Sequence, residues 1–287
     1  MRKIETQALN VRIFPHPKDA YRQLLRRIYE SRTPVKVYGN TYIALTSLND
    51  RDEHEARGMI SKFTNIESDN WFDAMEFVES EDGPQIPSHL FANLKSFRFV
   101  FNYKYHVFMF ESYDGKDSMS WRFVDKYFRT ISELGSVSRG LEHIEIDLIK
   151  DQKGLDELFD FERLSKINIT INRPNPDLTN PDRRKKFQER LNEIKARQLK
   201  SEYNAIPHES IQPDESIKEE AEVALTDGKI TTAGYDGNGL RKEKSSAEFP
   251  MTEQDRFDAD TTPPEDAFRR LASRMLDKIA GRIRPQA

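Results

Sequence analysis

The side chains with the plainest chemistry in this chain are cations in two groups. Arg183, Arg184, Lys185 and Lys186 stand in a row, and Arg269, Arg270, Arg274, Lys278 and Arg282 recur at helical spacing near the C-terminus. Guanidinium and ammonium groups gathered in this way suit phosphate binding. Four cations at the start of a helix oppose its macrodipole, a local cost that a bound phosphate offsets. The competing reading is a solvated, salt-bridged helix, because Glu189, Glu193 and Glu202 are interspersed. A third arrangement, Glu145 and Asp147 followed by Lys150, has the look of a metal-dependent nuclease edge. Ile144, Ile146 and Leu148 alternate with those carboxylates, so the simpler reading is a strand with one wet face.

Other chemistries find little support. The histidines at 16, 54, 89, 106, 143 and 208 show no HxH or HExxH ligand spacing. No phosphate loop or dinucleotide fingerprint occurs among the glycines, and no serine sits in a G-x-S-x-G elbow. With no cysteine, disulfides, thiolate catalysis and sulfur-ligated zinc are excluded. No catalytic residue, metal or cofactor is expected.

The scaffold for these groups centres on Ser96–Ser112. Phe97, Phe99 and Phe101 alternate with Arg98, Val100 and Asn102, placing three rings on one face of a strand. After a turn at 102–105, the apolar run 106–111 reads as a strand covered on both faces. Before this hairpin, Ile4–Phe14 is a predicted strand ended by Pro15-His16-Pro17. Lys18–Ser31 is a helix, Val35–Leu48 a hairpin and Met59–Ile66 a further strand. Trp71–Phe77 suggests a short helix before an acidic turn. Beyond the aromatic hairpin come a helix over Met119–Leu134, a strand over His143–Ile149, a helix over Leu155–Phe161 and a strand over Ile167–Ile171.

Composition changes past Pro176. Residues 181–202 carry a net charge of +4 and residues 209–227 a net of −6. Lys229–Lys244 reads as a hairpin turned by Asp236-Gly237-Asn238-Gly239, and 245–262 as an irregular linker. The closing helix, 264–283, has Phe268, Leu271, Met275 and Ile279 on one side, an apolar stripe that must dock on the body or on another copy. The expected fold is α+β. A strand-rich, mixed α/β body with flanking helices spans 1–176, a charged helical and hairpin arm 177–262, and the amphipathic helix 263–287. The C-terminal region as a whole then reads as helix-hairpin-helix.

The chain has 36% hydrophobic residues, a net charge of −4 and no stretch near the roughly 20 apolar residues of a membrane span. Its first residues, MRKIETQALNV, lack the apolar run of a secretory signal. A cytoplasmic protein is expected, and any nucleic-acid binding must come from local patches.

Several ordered segments, among them ALNVRIFPHP (8–17), SKFTNIESDNWFD (61–73), IPSHLFANLKSFRFVF (86–101) and INITINRPNPD (167–177), resemble the bacterial family DUF4747, a domain of unknown function. That resemblance spans most of the chain and implies no catalytic motif. A second resemblance, of architecture alone, is to Rex-type phage-exclusion proteins and the DNA-binding subunit of the Kiwa defence system. It implies anti-phage defence and sequence-independent DNA binding. The leading expectation is therefore a homodimer that contacts double-stranded DNA phosphates through the two basic groups. The alternatives are an interaction subunit holding a second defence-system protein by its last helix, and a divergent metal-dependent nuclease built on Glu145 and Asp147.

Overall fold

The aromatic hairpin sits in the middle of a large sheet. In the computed structural model, residues 1–287 are described except for 15–18, 67–70, 81–82, 84, 142, 175–180 and 283–287, and side chains are also left out at 181–184. The Pro15–Pro17 strand stop therefore lies outside the described residues. Strands β1 (Arg2–Phe14), β2 (Val35–Tyr38), β3 (Thr41–Asn49) and β4 (Glu55–Thr64) are followed by β5 (Trp71–Asp73), β6 (Val78–Ser80), β7 (Ala92–Asn102) and β8 (Val107–Tyr113). Helix α1 (Ala20–Ser31) joins β1 to β2, and α2 (Trp121–Ser132) and α3 (Gly135–Ser138) precede β9 (His143–Leu148).

Phe97, Phe99, Phe101, Phe108 and Phe110 all face α1 and α2, together with Leu9, Val11 and Ile13 of β1. Their alternation partners Val100, Val107 and Met109 face the other way, as a strand buried on both faces requires. The sheet runs β14-β1-β8-β7-β4-β3-β2 and curls into a half-barrel, where β14 is Thr252–Phe257. β1 is long enough for one edge to serve two partners. Its residues 2–7 pair with β14 and its residues 9–14 with β9, while β8 occupies the opposite edge.

A second layer contains α4 (Lys153–Phe159), β10 (Arg163–Asn172), α5 (Pro181–Glu193), β11 (Gln198–Asn204), α6 (Glu215–Asp227), β12 (Gly228–Tyr235) and β13 (Arg241–Ser245). Its four strands are ordered β11-β10-β12-β13, so β10 pairs with strands from beyond Pro176 on both its edges. Ile167, Ile169, Ile171 and Ile230 meet Phe187, Leu191, Ala221 and Ala224 of the helices in a separate core or its buried fringe. The final helix α7 (Pro264–Gly281) returns to the large sheet.

The mixed α+β class is as the sequence predicts, with seven α-helices among the described residues. The helix-hairpin-helix tail is not what forms. α6 separates β11 from the β12–β13 hairpin, and β14 lies in the large sheet, where a linker was expected. Thr252–Phe257 is polar or charged at every position but Phe257, too weak a pattern to announce a strand, yet β1 offers it an open edge. Trp71–Phe77 forms a β-hairpin rather than a helix: Trp71 pairs with Ser80, Phe72 with Glu79 and Asp73 with Val78. The Asp73 side chain accepts the N–H groups of Met75 and Glu76, setting a turn where helical bonding would have continued. The helix opened by residues 183–186 stops at Glu193, and Lys200 lies in strand β11.

Candidate functional site

Register places a polar row where the large sheet meets the small one. On the face that carries α7, the apolar lining from β1 stops at Ala8, and Asn10 and Arg12 continue the same alternation. Across the β1–β9 ladder Asn10 stands opposite Asp147, and Arg12 opposite Glu145. The C-terminal end of α6 brings Asp227 over them. Arg12 ion-pairs with Asp227 at 3.1 Å and Glu145 at 3.2 Å, and also bonds Asp147. Asn10 Nδ2 donates to Asp227 at 3.0 Å. The small sheet closes the rim: Asn172 Nδ2 donates to Asp147 at 3.0 Å, and Arg197 Nε donates to Glu145 at 2.9 Å. Glu145 and Asp147 thus share a face as their spacing predicts, but that face is covered by protein, not by water as expected. Both residues are buried, with a guanidinium between them.

Burial opposes charge on Arg12, but Asp147, Asp227 and Glu145 together more than reverse that effect and raise its pKa. Lys150 adds a second buried cation. Its Nζ donates to the carbonyls of Ala224 and Gly228 at the C-terminal end of α6. Desolvation pulls its pKa down to about 8, with Asp147 and Asp227 opposing that shift. In the unfolded chain an ordinary lysine holds its proton to 10.5, so between these values the unfolded state binds more protons and stability rises with pH. Across that window the wild type is expected to gain about 3 kcal/mol relative to Lys150→Met, measured as paired urea-unfolding series. Parallel pH profiles for the two proteins would remove Lys150 as the source.

The cluster can lock the two sheets together and hold a fixed charge pattern. Among the described residues no group of three histidine, aspartate or glutamate side chains is arranged to hold a metal ion. The position a cation would take between Glu145 and Asp147 is filled by Arg12.

The sequence-predicted cations separate into bound and free groups. Arg274 pairs with Asp255 at 3.0 Å and Lys278 with Glu253, both on β14. Arg282 donates to the carbonyl of Lys150 at 2.9 Å, tying the end of α7 to the buried cluster. Lys185 and Lys186 are exposed and reach Glu189 and Glu219 at 3.9 and 3.2 Å. The side chains of Arg183 and Arg184 lie outside the described residues. Arg269 and Arg270 are exposed beside an open cleft of about 540 Å³ between α7 and the sheet, with Glu55 and Asp266 also on its walls. Phe268, Leu271, Met275 and Ile279, expected to offer an interface, are core residues. They pack on Ile4, Ala8, Val107, Met109 and Phe257 of the same chain, so the stripe is consumed by the fold.

Another polar surface emerges from the small sheet. With Ile167, Ile169 and Ile171 turned inward, Lys166, Asn168, Thr170 and Asn172 lie on its outer face. Register adds Gln198, Lys200, Glu202 and Asn204 from β11, with Lys229 and Thr231 from β12. Among the described residues no helix of the small layer's core covers that side. Exposed Arg190, Lys195, Lys200 and Lys229 form no ion pair with any described residue.

A family model, the domain of unknown function DUF4747, matches residues 2–273. The chain belongs to the DUF4747 family. No curated protein matches this DUF4747 chain. Sequence reading of the DUF4747 protein missed Arg12, Asn10 and Asp227 as parts of one site. Arg12 did carry a local signal, a charge between Val11 and Ile13 in an otherwise apolar strand end, but its partners come from positions 145, 147 and 227. The outer row Lys166-Asn168-Thr170-Asn172 was also legible as the polar half of an alternating strand.

Proposed function

We propose that this DUF4747 protein binds double-stranded DNA without reading its sequence, through phosphate contacts. The observation that carries the reading is the set of exposed cations around α5 and the small sheet that form no ion pair with any described residue: Arg190, Lys195, Lys200 and Lys229. These groups are solvated in the free protein, so a phosphate need not break an internal ion pair to reach them. Asn168, Thr170 and Thr231 on the outer sheet face add neutral donors suited to phosphate and sugar oxygens. Lys185 and Lys186 extend the same basic segment, whereas Arg274, Lys278 and Arg282 are engaged within the chain and drop out of the proposed contact set.

The architectural resemblance to Rex-type and Kiwa-type proteins supports placing such binding in cytoplasmic anti-phage defence. No helix among the described residues is long and apolar enough to cross a membrane.

Fluorescence anisotropy of labelled duplexes of several sequences, taken through a salt series, tests this. Similar affinity for every sequence is expected, falling steeply with salt. Replacing Arg190, Lys195, Lys200 and Lys229 together with alanine should shrink the log–log salt slope by about 3 to 4, close to 0.9 per lost phosphate contact. The pair Arg274→Ala and Lys278→Ala should leave that slope unchanged. Binding unaltered by the fourfold substitution, or absent at low salt, would overturn the reading.

A further inference from the structure

Among the described residues the β5–β6 hairpin pairs with no further strand, and it exposes large apolar side chains at its tip. Phe72 is 60% exposed, Met75 94% and Phe77 81%, with Val78 also exposed. Phe72 and Phe77 meet edge to face at 5.1 Å, so the apolar surface is organised into a knob. Monomeric proteins seldom leave such side chains together in water, and an isolated two-stranded hairpin is marginal on its own. Aromatic residues and methionine are the types enriched at interface centres.

The charge around this knob is one-sided. Residues 71–80 include three acidic residues and no basic one. Asp73, Glu76 and Glu79 alternate with the exposed rings, so like charge repels a nucleic-acid backbone from this hairpin. The matching surface is a basic one with an apolar element inside it. Where α5 ends, Ile194 is largely exposed between Arg190 and Lys195, which form no ion pair with any described residue, and with Arg197 the segment 190–197 is net basic despite the exposed carboxylate of Glu193.

We infer that the β5–β6 hairpin docks onto the basic end of α5 in a second copy of this chain, with Phe72, Met75 and Phe77 against Ile194 and the hairpin carboxylates against Arg190 and Lys195. Because the two surfaces differ, the contact is head-to-tail and builds rings or chains of copies, not a two-fold dimer. It uses the cations assigned to DNA above, so duplex DNA competes with it, but it does not depend on that assignment being right.

Sedimentation velocity of the full chain over a concentration series, at about 50 mM and about 500 mM salt, reads the association directly. Larger species are expected at low salt and monomer at high salt. Phe72→Ser with Phe77→Ser should weaken association about tenfold or more, as interface anchors do. Glu76→Lys with Glu79→Lys, and separately Arg190→Glu with Lys195→Glu, should each do the same. An equal mixture of these two charge-reversed proteins should associate again, an outcome that misfolding of either cannot produce. A wild type that stays monomeric at low salt, or association indifferent to the hairpin substitutions, would overturn the inference. Self-association that needs the hairpin in a protein that ignores DNA would remove the DNA reading and leave this one standing.

Discussion

Arg12→Met is expected to lose about 3–5 kcal/mol of unfolding free energy, read from urea denaturation at neutral pH. The guanidinium is buried among Glu145, Asp147 and Asp227, and it also donates to the carbonyl of Arg173. Methionine fills much of the space but leaves three carboxylates with Lys150 as their one close, fully buried cation. Removing one partner from a buried ionic group costs far more than the group is worth as a whole, because the remaining charges stay desolvated. Arg12→Lys, which keeps the charge but not the planar fork, should fall between the two proteins. Combining Arg12→Met with Asp227→Asn should cost less than the sum of the two single losses, since one of the stranded carboxylates is then gone. A loss below about 1 kcal/mol in Arg12→Met would show that the cluster does not hold the sheets together.

Phe268→Ala should be destabilising by a similar amount, about 3–5 kcal/mol, for a different reason. Its ring is buried against the α7 face of the large sheet, among Ile4, Ala8, Val100 and Met109. The loss combines the transfer of a benzyl group with an unfilled cavity, and urea denaturation again measures it. The same geometry changes what truncation before Pro263 means. Removing α7 uncovers an apolar sheet face, so loss of a partner from such a protein would report misfolding, not a lost docking helix. Solubility and unfolding cooperativity should both fall in the truncated chain; a truncated chain that unfolds with wild-type cooperativity would contradict the packing role given to α7.

Features governed by near neighbours in the chain were legible from the residues alone. The period of two in Phe97-Arg98-Phe99-Val100-Phe101 requires one aromatic face whatever packs against it, and the structure puts all three rings in one core. The turn Asp236–Gly239 and the apolar spacing of α7 are equally local properties, and both elements form. Partners are another matter. The stripe on α7 specified that something must cover it, while the open face of β1, β7 and β8 decided that this chain does so itself. β14 is a strand because β1 has a free edge for six residues, a fact no inspection of residues 252–257 contains. Glu145 and Asp147 alternate with isoleucines as a solvated edge would, yet the second sheet and the end of α6 close over them, and β1 supplies Arg12 as counter-ion. Periodicity and turn chemistry are short-range, so the chain itself determined its elements and their two-faced character. Which face meets water and which meets protein depends on contacts between residues more than a hundred positions apart, and only the tertiary structure decided those.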